Sequence, residues 1–252
     1  MLPHLLVATP VAGGVVAHEY LHGIQAIAAK LAQVGWSMDF VSRPDGLVTR
    51  SRNAFASQVV RSDVFTHLLM LDADVVLPPE GVERLVNSGH DVAGCVVPLR
   101  DVSWTRVREH LDKDPGASPD ELRAISASYA VNFEHGRTVI DGFIPVKHIG
   151  SAAMLISRSA LMALTNSDKV GRAQRGLSAA DGRDDGWNFF DPFIDTEGTY
   201  LSEDYAFCDR WHSLGGQVWA DIRTPTRHIG PVAINGDIAA SIAASSRALR
   251  NR

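Results

Sequence analysis

The stretch Thr66-His67-Leu68-Leu69-Met70-Leu71-Asp72-Ala73-Asp74-Val75-Val76-Leu77-Pro78-Pro79 decides how this chain folds. Leu68, Leu69, Met70 and Leu71 form an unbroken apolar run that stops at two carboxylates, Asp72 and Asp74. Such a run, bounded by a turn and a helix start, predicts a parallel strand buried on both faces. Open α/β sheets bind ligands beyond the carboxyl ends of their strands, so both aspartates are expected at the rim of a sheet. In a regular strand side chains repeat with period two, which puts the two carboxylates on one face. Like charges that close resist joint ionisation unless something positive sits between them. Mg2+ or Mn2+ with a substrate diphosphate supplies that charge and accepts oxygen ligands. The plainer alternative is that Asp72 or Asp74 caps a helix that starts near Pro79.

Working back from this strand, residues 4–9 read as a first strand ending at Pro10. The loop Pro10-Val11-Ala12-Gly13-Gly14 lacks the Gly-Lys-Ser/Thr of a phosphate loop and the dinucleotide spacing. Residues 17–34 predict a helix with Leu21, Ile24, Ile27, Ala28 and Leu31 on its apolar side, closed by Gly35. Residues 36–41 predict a second strand. A helix over 53–62 follows, with Ser51 or Asn53 as its cap. Arg50 and Arg52 then fall near a helix amino terminus, where backbone N–H groups and a guanidinium together suit a phosphate. Two solvated arginines are the alternative.

Working forward, residues 79–88 predict a helix and 92–97 a strand. The βαβαβαβ order predicts an α/β fold: one Rossmann-like, mostly parallel sheet flanked by helices, with a small antiparallel addition. Residues 101–125 are polar, and 112–119 predict a loop; Trp104 either stacks on a sugar or anchors that loop. Two β-like pieces flank His135-Gly136-Arg137. Gly150-Ser151-Ala152 precedes an apolar strand, and small residues there let backbone lie close to a ligand or permit a tight sheet crossing. Residues 166–200 are polar and irregular around Trp187-Asn188-Phe189-Phe190-Asp191-Pro192-Phe193, which either covers a binding site or forms a satellite core. A helix enters through Ser202 with Glu203 and Asp204 in its first turn. Capping explains one of these acids and does not need both; a carboxylate at a cleft rim can accept a proton from an attacking hydroxyl. His228 falls in a late loop, where an imidazole can complete a carboxylate and phosphate oxygen set. Residues 237–250 predict an alanine-rich helix.

The whole chain of 252 residues is long enough for one large domain. Its formal net charge of -5 argues against non-specific nucleic-acid binding as the main task. Cys95 and Cys208 lack metal-site spacing, so neither a zinc site nor a disulfide scaffold is expected. There is no apolar stretch long enough for a membrane span. The first residues lack a basic signal region, so a cytoplasmic location is the expectation.

In order along residues 5–230, several pieces resemble nucleotide-sugar-dependent glycosyltransferases of the GT-A fold, the Asp-x-Asp type. They are Ala8-Thr9-Pro10, Thr49-Arg50-Ser51-Arg52-Asn53, the Thr66 to Asp74 stretch, Gly150-Ser151-Ala152-Ala153-Met154-Leu155-Ile156, Ser202-Glu203-Asp204-Tyr205-Ala206-Phe207-Cys208 and His228. The resemblance implies a single domain over 1–252. Residues 1–100 would bind a UDP- or GDP-linked sugar, residues 101–235 the acceptor, and 236–252 would form a C-terminal helix. It implies Asp72 on the ribose side of the nucleotide, Asp74 and His228 as ligands of Mn2+ or Mg2+, and Asp72 beside them at the metal. By the same likeness Thr9 and Pro10 lie along base and ribose, with Arg50, Arg52 and Gly150 also against the nucleotide. Asp204, with Glu203 beside it, is the implied catalytic base if the reaction inverts the sugar. Two other readings remain open: a nucleotidyltransferase that makes a nucleotide sugar, and a non-catalytic nucleotide-sugar-binding domain. The first should carry a basic glycine-rich loop after strand one, and residues 10–14 contain no Lys or Arg.

Overall fold

The computed structural model describes residues 3–134, 138–177 and 182–230. The chain runs β1 (His4–Val11), α1 (His18–Gln33), β2 (Ser37–Pro44), α2 (Val48–Arg61), β3 (His67–Leu71), β4 (Val75–Val76), α3 (Pro79–Asn87) and β5 (Val92–Cys95). It continues through α4 (Trp104–Lys113), α5 (Pro119–Ser126), β6 (Val131–Phe133), β7 (Phe143–Ile149), β8 (Ala153–Ser157), α6 (Arg158–Thr165), β9 (Arg172–Ala173) and β10 (Gly186–Trp187). The last elements are β11 (Phe193–Ile194), β12 (Tyr200–Leu201), α7 (Glu203–His212), β13 (Val218–Asp221) and β14 (Arg227–His228).

One eight-stranded sheet, ordered β2-β1-β3-β8-β5-β13-β7-β6, carries the fold. In it β2, β1, β3, β5, β13 and β6 run one way, and β8 and β7 run the other. Three two-stranded antiparallel pairs, β10-β9, β11-β12 and β14-β4, are added to it. The chain is thus a mixed α/β fold with a mostly parallel central sheet flanked by helices.

The run that ends at Asp72 is β3, and all four of its apolar side chains are at most 1% exposed. Alternation splits them: Leu68 and Met70 join the core that includes Phe55, Phe190 and Phe207, while Leu69 and Leu71 join the core with Ile27, Leu31, Val82 and Leu85. Removing each such side chain from water contributes roughly 1.5–3 kcal/mol. This double-sided burial explains why the run is continuous rather than alternating.

Several expectations need correction. The helix α2 begins at Val48, five residues ahead of the expected start, because Asp45 accepts a hydrogen bond from the Leu47 N–H (3.0 Å) and orders the entry. Ser51 and Asn53 are therefore buried inside α2 rather than capping it. Asp72 and Asp74 do not share a strand face: β3 ends at Leu71, and Val75 N–H donates to the Asp72 carbonyl at 3.1 Å, so the pair sits in a turn. The loop expected over 112–119 falls between α4 and α5, which the rest of the polar stretch 101–125 forms, α5 being fixed by a Ser118–Glu121 capping box. Trp104 begins α4 and is 74% exposed.

The aromatics around residue 190 are main core. Phe189 and Phe190 are fully buried, and Phe190 stacks on Phe207 with ring centres 4.7 Å apart. Asn53 on α2 clasps this segment, accepting from Phe190 N–H and donating to Asp191, both at 2.7 Å. The expected helix over 237–250, and the residues His135-Gly136-Arg137 between the two β-like pieces, lie outside the described residues.

Candidate functional site

Seven pieces of chain meet at the carboxyl end of β3: the first turns of α2, the turn after β3, the segment after β5, the residue before β6, the Gly150-Ser151-Ala152 bend, the start of α7 and β14. The bend is tied to the turn by Asp72 N–H, which donates to the Ala152 carbonyl at 3.0 Å. Together they enclose a pocket of about 160 Å3 lined by Arg52, Asp72, Ser151, Glu203, Asp204 and His228, with Val97, Pro98, Leu99, Ala130, Gly150 and Ala152 completing its wall.

Arg52 is 3% exposed, and its side chain anchors one end of the pocket. One terminal nitrogen donates to Asp72 Oδ1 at 3.0 Å, and Nε lies 3.8 Å from Glu203 Oε1. Its Nε and its other terminal nitrogen are buried without a hydrogen-bond partner. Ser151 Oγ, on a residue 1% exposed, is likewise unpartnered. A buried donor without an acceptor costs about 1–3 kcal/mol. Three such donors lie on two residues that line one pocket.

At the other end Asp74 Oδ1 lies 3.3 Å from His228 Nε2, and Arg100 donates to Asp74 Oδ2 at 2.9 Å. His228 belongs not to a loop but to β14, opposite Val75 in β4, and Ile229 N–H donates to the Asp74 carbonyl at 2.7 Å. That ladder holds the imidazole on the acid. His228 Nδ1 is 2.8 Å from the Pro98 carbonyl, which requires the proton on Nδ1 and turns Nε2 towards Asp74. The hydrogen bond to Asp74 raises the His228 pKa against the opposing effect of burial. Burial pushes Asp74 up, yet His228 and Arg100 outweigh it and hold the carboxyl below its ordinary value.

At the start of α7, Asp204 Oδ1 accepts from Tyr205 N–H at 2.8 Å and from Ser202 Oγ. Ser202 therefore spends its hydroxyl on Asp204 rather than on the helix N–H groups. A methyl group added at Gly150 would stand 3.2 Å from the Ala130 methyl, a tight contact, and 3.6 Å from Asp204 Oδ2, an ordinary one. Burial, then the Asp204 charge, raises the Glu203 pKa.

The structure thus gathers Arg52, Asp72, Gly150, Glu203, Asp204 and His228 around one pocket, with Asp74 joined to it through His228. Arg50 does not join them: it binds Asp45 through two contacts of 2.7 Å. Thr9 and Pro10 do not line the pocket either. Thr9 is fully buried with its hydroxyl bonded to Tyr20, whose pKa burial pushes up to about 12. Among the described residues no three His, Cys, Asp or Glu side chains are grouped so as to hold a metal ion. Arg100 and Ser151 escaped the sequence reading. An arginine in a polar stretch carries no signal of its own, whereas Ser151 lay inside the quoted small-residue bend.

No family model matches the chain, and no curated protein matches it. Among solved structures it is similar to A197 from STIV, at 17% identity over 90% of this chain and 86% of that one, with a TM-score of 0.48. It is also similar to GalNAc-T7 with UDP, GalNAc and Mn2+, at 9% identity over 92% of this chain and 44% of that one, with a TM-score of 0.42. A third is the inositol-1-phosphate CTP transferase from T. maritima, at 10% identity over 96% and 95% of the two chains, with a TM-score of 0.43. Likenesses this distant assign no activity. Among the described residues no helix is long and apolar enough to cross a membrane.

Proposed function

We propose that this chain, as one domain, is a glycosyltransferase that moves a sugar from a UDP- or GDP-linked donor to an acceptor hydroxyl. The observation that carries this reading is the set of unpartnered buried donors on Arg52 and Ser151, beside the Asp74–His228 pair and opposite Asp204. Buried donors call for an oxygen-rich ligand. An acid and an imidazole with its other nitrogen fixed suit Mn2+ or Mg2+ when the ligand's diphosphate contributes the remaining oxygens. Two residues alone make a partial cage, which fits a cation that arrives with its nucleotide. Bound there, the cation would neutralise charge on the diphosphate.

The remaining steps belong to the protein's own side chains. Arg52, held by Asp72 and Glu203, faces the departing diphosphate oxygen with its free N–H groups. Asp204 has one oxygen committed to Ser202 and Tyr205, which fixes the orientation of the other, Oδ2. That oxygen takes the proton of the acceptor hydroxyl as the acceptor oxygen bonds to the anomeric carbon. The bond from that carbon to the diphosphate breaks, and its electron pair leaves on the diphosphate. This sequence inverts the sugar.

Incubating the protein with Mn2+, UDP- and GDP-sugars and a panel of acceptor hydroxyls tests the reading through release of nucleoside diphosphate. Release of pyrophosphate from a nucleoside triphosphate and a sugar phosphate would instead make it a nucleotidyltransferase. Tight binding of nucleotide sugar with no turnover would make it a binding domain.

A further inference from the structure

Behind the Arg52 pocket lies a second concavity, an open groove of about 820 Å3. A thin partition divides the two: residues 96–99 joined to 128–131 by the Pro98–Tyr129 bridge and by Leu99 N–H, which donates to the Ser128 carbonyl at 2.7 Å. Successive side chains of extended backbone point to opposite faces. Val97, Leu99 and Ala130 accordingly line the pocket, while Val96, Tyr129 and Val131 line the groove. We infer that this groove is a second binding site, for a single-chain amphiphile with a phosphate head, its chain on the apolar floor and its charge met by Arg123 and Arg223. The site goes beyond the transferase reading and does not rest on it.

The floor is apolar and within reach of solvent. Tyr129, Phe133 and Ile222 are 43%, 53% and 47% exposed, and they share the groove with Val96, Val131 and Pro225. Contiguous apolar surface in a concavity is the usual lining of a ligand site. The polar side chains among the lining are already spent. Asp221 is fully buried against Arg84 and accepts from Thr224 Oγ1. Thr226 Oγ1 donates to the Val96 carbonyl at 2.8 Å, and the Tyr129 hydroxyl donates to the Ala124 carbonyl at 3.4 Å. These side chains therefore offer a ligand carbon surface rather than hydrogen bonds, which favours an alkyl chain over a sugar or a peptide.

The charge facing the groove is positive. Arg123 comes from α5 and Arg223 from the segment after β13. The stem of Arg223 crosses Gly142, where φ is +85° and an added methyl group would stand 2.5 Å from Arg223 Cδ. A glycine there lets the stem lie on the backbone and so holds the arginine in place. Among the described residues its guanidinium makes no hydrogen bond or ion pair. Arg123 is paired with Asp120, but both side chains are largely exposed, so the pair is weak and can yield to a better anion. The lining's own acid, Asp221, is neutralised by Arg84. A phosphate head carries about -1.5 to -2 charges and three acceptor oxygens, which suits two guanidinia.

Calorimetric titration of the full-length protein tests this. The probes are dodecyl phosphate, dodecyl maltoside and dodecyltrimethylammonium, each below its micellar concentration, and inorganic phosphate. Dodecyl phosphate should bind once per chain, at least about tenfold tighter than the other three. Arg123→Gln combined with Arg223→Gln should bring its affinity down to that of the maltoside. Ile222→Ser should weaken it several-fold and leave the preference for phosphate over maltoside in place. All three side chains are exposed, and unchanged thermal melting checks that the variants fold. Equal affinity for the three amphiphiles, inorganic phosphate binding as tightly as dodecyl phosphate, or unchanged binding in the double variant overturns the inference. Binding to anionic vesicles without binding of the soluble alkyl phosphate also overturns it, and makes this face a membrane contact instead.

Discussion

His228 Nε2 stands 3.3 Å from Asp74 Oδ1, although the two residues lie far apart in the sequence. The contact is enforced by backbone pairing, with His228 opposite Val75 and Ile229 N–H on the Asp74 carbonyl. Because the ladder does not depend on either side chain, Asp74→Asn and His228→Ala should fold. Each should weaken Mn2+-dependent binding of a nucleoside diphosphate by at least about tenfold, as loss of one ligand from a two-residue set implies. Titration of nucleotide with and without Mn2+ measures this. Unchanged metal dependence in both variants would remove the pair from the site.

A cation bound at Asp74 would compete with Arg100 for the carboxylate. The guanidinium lies 2.9 Å from Asp74 Oδ2, and its side chain is about half exposed. Arg100→Gln removes the competitor and should tighten Mn2+ binding by several-fold, on the order of the 1 kcal/mol that a half-exposed pair contributes. Paramagnetic resonance of free Mn2+ reads the change directly, and weaker metal binding in the variant would show that Arg100 supports the cation instead.

Asp204→Asn should lower kcat by at least about a hundredfold, the usual scale of general-base catalysis, while donor affinity changes little. The amide preserves the hydrogen bond from Tyr205 N–H, so folding is not at stake. Comparable turnover would pass the role to Glu203, and Glu203→Gln is the companion measurement.

Asp221, fully buried at the end of β13, binds Arg84 through two contacts of 2.9 Å and accepts from Thr224 Oγ1 at 2.6 Å. Burial raises its pKa, but Arg84 and Thr224 outweigh burial and hold it below the ordinary value. Its contribution is therefore fully present above the unfolded carboxyl's pKa of ~3.9 and is lost as pH falls through the lower folded value. Denaturant titration should show Asp221→Ala less stable by about 3–5 kcal/mol at neutral pH, as for a broken buried pair, with the gap closing under acid. A gap that stays constant from neutral to acid pH would contradict the assignment.

The sequence by itself determined that β3 is buried on both faces, since four consecutive apolar residues can be satisfied only between two packed layers. It likewise determined that acids follow β3, that Gly35 ends α1, that small residues precede β8 and that two acids begin α7. These are local properties: hydrophobic period, caps and turns act over a few residues. Where the aspartates point was decided by tertiary structure. A turn at residue 72 sends Asp72 to Arg52 of α2 and Asp74 to His228 of β14, each carboxylate finding its own partner. For the same reason Arg50 and Arg52, alike in sequence, part company: one lies in reach of Asp45, the other turns into the core towards Asp72. Nothing within a few residues of Arg100 announces its role, since that is defined by its contact with Asp74 from a distant stretch of chain.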